Sequence, residues 1–585
     1  MTPTSFRILK SLAVGGVASL VLGACGGSSG NNNNNNGGLA SDQTLNFPVF
    51  ADFGTLDPAV SDAETDQEIQ QNMFDGLVKF DNNLNVVPDI ATDVPQASSD
   101  GLTYTFKLRQ DVTFSNGDKL TSKDVLYSWN RAAAMQGAYA TNLSAIKGYD
   151  VVSKNTKSGA DLEKLLDSND PSVTLTGLTA PDPYTVVVTL SHPAGWFLTA
   201  IALSGSTGEI VDQNAVKTDP DNWWRNPATA IGTGPFKMTA YTPKQSADFA
   251  AVDNWWGTPK PTLKKVHVDM SVTDPSTAIT KYEQGGYDIV GYGGYSNLPV
   301  TDILRIQQTS NEKNQLVLHP KVRSYWVSFN MVCDSSRPAK GPFCGISDAN
   351  AKNLRLAFAL AVDKQKLVST VCQNVVCTAA TGGLIPPTLI GYLGDNQDPL
   401  AKFDAAQAKT LLKQADPDGS KTKNLTYTYD PENALNGTTA QFLQAQWHDN
   451  LGVDVKLQAV SHSQFIKSRL KGDYVLSRDG WQADYNHPQD WFDNIWGKIV
   501  GCPDANCTSG YDTPAYDAAV AKADAEPVDQ STNDYKAISQ MLINDVAYIP
   551  LYYSVGAFLI KPYVKGAGTN SFFDIHWNEI QIQSH

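Results

Sequence analysis

Thr103-Tyr104-Thr105-Phe106-Lys107-Leu108 alternates residue by residue, so an extended chain puts Tyr104, Phe106 and Leu108 on one face and polar side chains on the other. Shortly after it, Thr121-Ser122-Lys123-Asp124 has the form of a capping box with Asp at the third helical position, and Val125, Tyr127 and Trp129 follow in the helix it opens. Tyr184 to Leu190 (YTVVVTL) is rich in β-branched residues and predicts another strand. Farther on, Asn350 to Thr370 predicts one helix with Leu354, Phe358, Ala361 and Val362 on its inner face. Asp404 to Ala415 predicts a second, with Asp404 and Gln407 in capping positions, and Thr438 to Asn450 a third that leads into a strand at Val453 to Leu457. Strand and helix signals alternate without a repeat of solenoid period, which predicts a mixed α/β fold.

The 585 residues exceed the size of one ordinary core and imply two or three domains. A hydrophobic content of 41% with 12 Trp, 23 Tyr and 21 Phe excludes a disordered chain. The net charge of −15, with no basic stripe, argues against a nucleic-acid partner, because phosphate binding needs clustered Lys and Arg. The eight His have no pair at i, i+4, so no helical zinc motif, and neither metal nor cofactor, is expected. No active-site constellation of the Gly-x-Ser-x-Gly elbow, His-Glu-x-x-His or Ser-x-x-Lys kind is apparent, and the chain reads as a non-enzyme. Gly232-Thr233-Gly234-Pro235-Phe236 lacks the Lys-Ser/Thr of a phosphate loop and predicts a turn entering a strand, using the φ freedom of Gly.

Arg7 and Lys10 precede the apolar run Ser11 to Ala24, too short to span a bilayer comfortably, and residues 1–24 read as an export signal. Its end, Leu22-Gly23-Ala24-Cys25, resembles the lipobox of bacterial lipoproteins, which implies lipidation of Cys25. Residues 26–38 (GGSSGNNNNNNGG) carry no apolar side chain and read as a flexible linker with a reach of roughly 20 Å. Together they predict an extracytoplasmic body, lipid-anchored to the outer face of the cell membrane. The other six Cys form close pairs, Cys333 with Cys344, Cys372 with Cys377 and Cys502 with Cys507. In an exported chain these suggest three local disulfides, with metal ligation as the alternative for the C-x4-C spacings.

An ordered set of landmarks then resembles the extracytoplasmic solute-binding proteins of ABC importers, family 5, the branch of oligopeptide- and dipeptide-binding proteins. They are Thr55-Leu56-Asp57-Pro58, Met73-Phe74-Asp75-Gly76-Leu77, Gly101 to Arg109, Phe114-Ser115-Asn116-Gly117, Ile231 to Phe236, Asn254-Trp255-Trp256-Gly257, Leu354 to Asp363 and Gly480 to Asn486. The resemblance implies a two-lobed periplasmic-binding-protein-like fold with a hinge, an additional domain in the N-terminal lobe, and a ligand enclosed between the lobes. It implies lobe I at 39–74, 205–322 and 553–585, the additional domain at 75–204 and lobe II at 323–552. The implied function is peptide capture for import, with a peptide ligand, ABC permease subunits as partners, and a monomeric body.

Within that resemblance, Ser477-Arg478-Asp479-Gly480-Trp481-Gln482-Ala483-Asp484-Tyr485-Asn486 looks like the oligopeptide-binding version. The backbone of Gly480, Trp481 and Gln482 is implied to pair with the peptide main chain, which gives affinity without side-chain specificity. Asp484 is implied to receive the peptide's α-ammonium group, and Asp62, Ala63 and Glu64 to form the opposing backbone edge. A structural cap for Asp484 and a core position for Trp481 are the plain alternatives. Arg478 and Arg469 lie where relatives place arginines that meet the ligand carboxylate; solvated surface charges are the alternative. Gln482 stands where some relatives have a bridging cysteine, and Leu435 where some have a carboxylate-recognising histidine. The same machinery carrying a nickel complex, haem, opine or sugar is the alternative cargo reading, and an exported hydrolase is a third.

Overall fold

The computed structural model describes residues 38–291, 298–309, 312–333, 341–496, 509–511, 513–568, 570–572 and 575–585. The opening strand spans Thr103–Lys107 and pairs antiparallel with Thr185–Thr189, which pairs in turn with Leu178–Asp182. Tyr104 and Phe106 are buried while Thr105 and Lys107 are exposed, as alternation requires. The helix Ser122–Met135 follows, and the Thr121 amide donates to Asp124 Oδ2 at 2.7 Å, closing the capping box. Its Val125 and Trp129 pack with Phe106, Val186, Val188 and Phe197 into one apolar core.

A second core forms around a four-stranded sheet in the order Thr44–Pro48, Lys265–Asp269, Ser246–Ala251, Phe236–Thr242. The C-terminus returns to it. Trp577 meets Phe47, Phe236 and Phe249 edge-on at centroid distances of 6.1, 5.3 and 5.2 Å, and Gln43 exchanges hydrogen bonds with the Ile582 main chain. The third and largest core surrounds a sheet ordered Ile289–Val290, Tyr548–Ile560, Leu316–Phe329, Leu476–Gln482, Thr426–Tyr429, Lys456–Ala459, with Cys377–Ala379 on Tyr548–Ile560. This core also reaches back to Ile279 and Ile303. The long strands Leu316–Phe329 and Tyr548–Ile560 run antiparallel, with a register shift between Pro320 and Ser324. Phe558 lies in the Trp577 core while Trp326 and Ile549 lie in the largest one, so this strand pair connects the two.

Several expectations are corrected. The predicted helix over 350–370 is two, Ala349–Leu360 and Lys364–Thr370, because Asp363 accepts from the Lys366 amide and starts a new N-terminus. The helix expected from Thr438 begins at Ala434, capped by Asn433, and the strand after it begins at Lys456. Gly232 and Gly234 precede the strand Phe236–Thr242, but neither uses positive φ. A Cβ on Gly232 would sit 2.0 Å from Met73 O, and one on Gly234 2.6 Å from Met73 C, so close backbone approach is what demands glycine. Trp255 and Trp256 both donate to Thr233 O, at 2.9 and 3.0 Å, so three sequence landmarks meet at one turn. Cys333–Cys344 and Cys372–Cys377 are disulfide-bonded. The Cys502 and Cys507 pairing, the signal segment and Cys25 lie outside the described residues. Among the described residues, no helix is long and apolar enough to cross a membrane.

The Thr55-Leu56-Asp57-Pro58 landmark acquires its purpose from Asp57. Its carboxylate receives both terminal nitrogens of Arg131, at 2.8 and 2.5 Å, and the Trp223 indole at 3.1 Å, all buried. Burial opposes the charge, yet Arg131 holds the Asp57 carboxyl below the usual range. Arg131 sits on the helix of the first core and Trp223 belongs to the Trp577 core, so one ion pair joins two cores. Arg131→Met should cost about 3–5 kcal/mol in urea unfolding, because it strands a buried carboxylate, and Asp57→Leu added to it should recover much of the loss. A single-variant cost below about 1 kcal/mol would contradict this account.

Candidate functional site

Leu476–Gln482 is a central strand with an incomplete neighbour. On one side it pairs with Arg323–Phe329 along its whole length, whereas on the other Thr426–Tyr429 reaches it only at Leu476 and Ser477. The Ala483 amide donates to Val322 O at 2.9 Å, which sets the phase of the antiparallel ladder. By alternation, Trp481 and Asp479 turn their main chain to the paired strand, and Gly480 and Gln482 turn theirs the other way. The Gly480 amide is taken by Asp479 Oδ1 at 2.9 Å, which leaves the Gly480 carbonyl and both main-chain groups of Gln482 facing outward. Glycine is required at 480 because a Cβ would lie 2.7 Å from the Tyr325 ring and 2.9 Å from Ser324 O.

That edge borders a cleft of about 1200 Å³. Gly480, Trp481, Gln482 and Asp484 line it, as do Arg478, Arg469, Asp62 and Glu64, so eight of the nine ligand-binding residues expected from the sequence come together. Ala63 does not line the cleft. It is extended, at φ −99° and ψ 129°, but its carbonyl already accepts the Asp66 and Gln67 amides at 2.9 and 3.1 Å. Glu64 opens the helix Glu64–Gln70, so the opposing edge expected at 62–64 is reduced to the stretch before that helix.

Beyond the strand, the chain turns into Asp484 and the short helix Gln489–Phe492. Asp490 organises this turn: it is 0% exposed, and its Oδ2 accepts the Trp481 indole N–H at 3.1 Å and the Asp484 amide at 2.8 Å. Asn494 donates to its other oxygen at 3.1 Å. Trp481 is therefore half-buried at the cleft, with its indole held by Asp490, rather than a fully buried core aromatic. Burial, and then the charge of Asp490, push the Asp484 carboxyl well above its ordinary value. Burial raises Asp490 to about 7. Neither forms an ion pair with Lys, Arg or His among the described residues. The arrangement is a carboxyl pair whose second charge a cationic ligand group would stabilise. Asp490 carries no motif signal that sequence reading could use; its role arises from a turn that folds it back on Trp481.

On the same strand, six residues before Asp484, stands Arg478. Its guanidinium meets Asp430 Oδ2 at 3.1 Å, and Arg469 meets Asp479 Oδ1 at 2.7 Å. Both arginine side chains are 17% exposed, so they are not solvated surface charges. Arg323 crosses to Glu64 at 3.3 Å. Among the described residues, no three His, Cys, Asp or Glu side chains group as a metal ion would need.

Residues 85–499 match the family model described as bacterial extracellular solute-binding proteins, family 5 Middle. The chain is 25% identical to the periplasmic murein peptide-binding protein of Escherichia coli K12, over 92% of this chain and 93% of that one. It is 27% identical to a probable deoxycholate-binding periplasmic protein of the same organism, over 94% and 95%. A solved periplasmic murein tripeptide binding protein, in its unliganded open form, superposes with a TM-score of 0.75 at 24% identity, covering 94% of this chain and 98% of that one.

The carboxyl pair makes ligand-free stability pH-dependent. Both carboxyls are raised above the unfolded value of about 3.9, so the pair's contribution is fully present below that pH and is lost as pH rises, for Asp490 through about 7. Asp484→Asn removes one of the two charges. Its stability relative to wild type should therefore rise between about pH 4 and pH 7.5 in urea unfolding. A difference that does not change with pH would refute the pairing.

Proposed function

Because the chain belongs to the bacterial extracellular solute-binding proteins of family 5, whose members bind solutes rather than catalyse reactions, we propose that it captures oligopeptides between two lobes and delivers them to an ABC permease for import. One observation carries the peptide reading: an open strand edge, at Gly480 and Gln482, that runs toward a carboxyl pair with no ion-pairing cation among the described residues. A peptide main chain adds to such an edge whatever its side chains, and the α-ammonium group at its start supplies the missing charge at Asp484. Trp481, fixed by Asp490, forms the wall between them.

A division into lobe I at 39–74, 205–322 and 553–585, an additional domain at 75–204 and lobe II at 323–552 is supported by the separate apolar cores around Trp577, Trp129 and Trp326, although residues within 205–322 such as Ile279 and Ile303 pack in the Trp326 core. We propose that the body acts as a monomer, held at the outer face of the membrane by lipid on Cys25, with 26–38 as its tether. The supporting features are the charged n-region, the apolar run and Leu22-Gly23-Ala24-Cys25. The deoxycholate-binding name of one relative favours a second reading, the same transport role with a non-peptide solute. Mass spectrometry of compounds retained by the purified protein separates the two.

Two measurements test this function. In calorimetry, Asp484→Asn should lose about 2–5 kcal/mol of affinity for a peptide with a free N-terminus and almost nothing for its acetylated form. Equal wild-type affinity for both forms would remove Asp484 from the site. In cell fractionation, wild type should partition with membranes until detergent is added, and Cys25→Ala should be released. Identical partitioning of the two would overturn lipid anchoring.

A further inference from the structure

Resting on the peptide reading of the cleft, we propose that this protein recognises only one end of its cargo: the N-terminus is anchored by charge, and the C-terminal carboxylate is not. Chains with a blocked or continuing C-terminus are then taken as readily as free acids.

The arginines decide this. Among the described residues lining the cleft, the Lys and Arg cations are Arg323, Arg469 and Arg478, and each already meets a carboxylate of this chain, at 3.3, 2.7 and 3.1 Å. Asp479 and Asp430 are 1% and 2% exposed, so a ligand carboxylate that displaced either would leave a buried charge unpaired. Asp430 is further held by Asn436 Nδ2 at 3.2 Å, with His462 Nδ1 3.9 Å away. The Arg478 guanidinium lies over the rings of Phe465 and Tyr325, at 5.1 and 5.5 Å, which fixes its plane toward Asp430. The Nε atoms of Arg469 and Arg478 are sealed from solvent and have no hydrogen-bond partner among the described residues, so what neutralises each guanidinium is the contact of a terminal nitrogen with Asp479 or Asp430.

Of the other groups lining this end, Thr438 already donates to Ala434 O and Leu435 O and the His462 ring lies against Asp430, while Glu432 and Leu435 disfavour an anion. Glu432 lines the cleft, is exposed, and makes no ion pair with Lys or Arg among the described residues; one of its oxygens accepts the His462 amide at 3.1 Å. Leu435 beside it is apolar. A free carboxylate here would meet neutralised arginines, an acid and a hydrocarbon surface, whereas an amide or a further peptide unit avoids the repulsion. Asp484, six residues farther along the chain, is the opposite case, a carboxyl with no ion pair to Lys, Arg or His among the described residues.

The test is calorimetry with hexa-alanine, long enough when extended to reach from Asp484 to Arg478, its C-terminal amide and its N-acetyl form. The amide should bind the wild type within about fivefold of the free acid, while acetylation abolishes most of the affinity. An amide weaker by more than about fivefold overturns one-ended recognition even if the peptide reading stands. Failure of all three to bind overturns the peptide reading and this inference together. Asp430→Asn, which releases Arg478, should create a preference for the free acid of about fivefold or more; no gained preference would show that Asp430 is not what silences Arg478. The wild-type comparison stands without that variant.

Discussion

A strand that keeps one neighbour for its whole length and loses the other after two residues is the constraint on which the site depends. The Gly480 carbonyl and the main-chain groups of Gln482 need hydrogen-bond partners, and in the interior of a sheet they would have them. Here Thr426–Tyr429 stops at Ser477, so those partners must come from water or from a ligand. The long pair Leu316–Phe329 and Tyr548–Ile560 holds the incomplete strand rigid from behind, with Tyr325 stacked on Tyr552 at 4.8 Å and Gly480 pressed against the Tyr325 ring. Rigidity matters because an edge that moved would pay the ordering cost at each binding event.

Charge is handled in two opposite ways in the same chain. Asp57 with Arg131, Asp430 with Arg478 and Asp479 with Arg469 are closed accounts of buried charge, each acid facing its own cation. Asp484 and Asp490 face one another instead, and burial raises both. The first arrangement holds cores and walls together, since losing either partner strands the other. The second leaves an electrostatic vacancy for a cation of fixed location. Asp490 also sets geometry, because the same oxygen that feels Asp484 receives the indole of Trp481 and the Asp484 amide.

Much of this was legible in the residue order, and the limit is physical. Alternation at Thr103–Lys107, the Thr121 and Asp124 capping box, and the Asp404 cap on the helix Ala405–Ala415 are local, set by side chains within a few residues, and they stand as read. The break at Asp363 is not visible in the apolar periodicity, which continues through 350–370, because one side-chain cap decides where a helix restarts. Gly232 and Gly234 were rightly assigned to a turn but for the wrong reason, since the crowding comes from Met73, far away in sequence.

The sequence by itself determined the α/β class and the close cysteine pairs Cys333–Cys344 and Cys372–Cys377, because each is written in composition or in short spacing, and its family resemblance marked the segment 477–486 as the place to look. Only the tertiary structure decided which main-chain groups of that segment are open, that Asp490 stands behind Asp484, and that Asp430 and Asp479 neutralise the two arginines. Those facts depend on which distant strand ends where and on which charges share a buried volume. Hydrogen-bond completion and burial are properties of the packed chain, and no window of residues contains them.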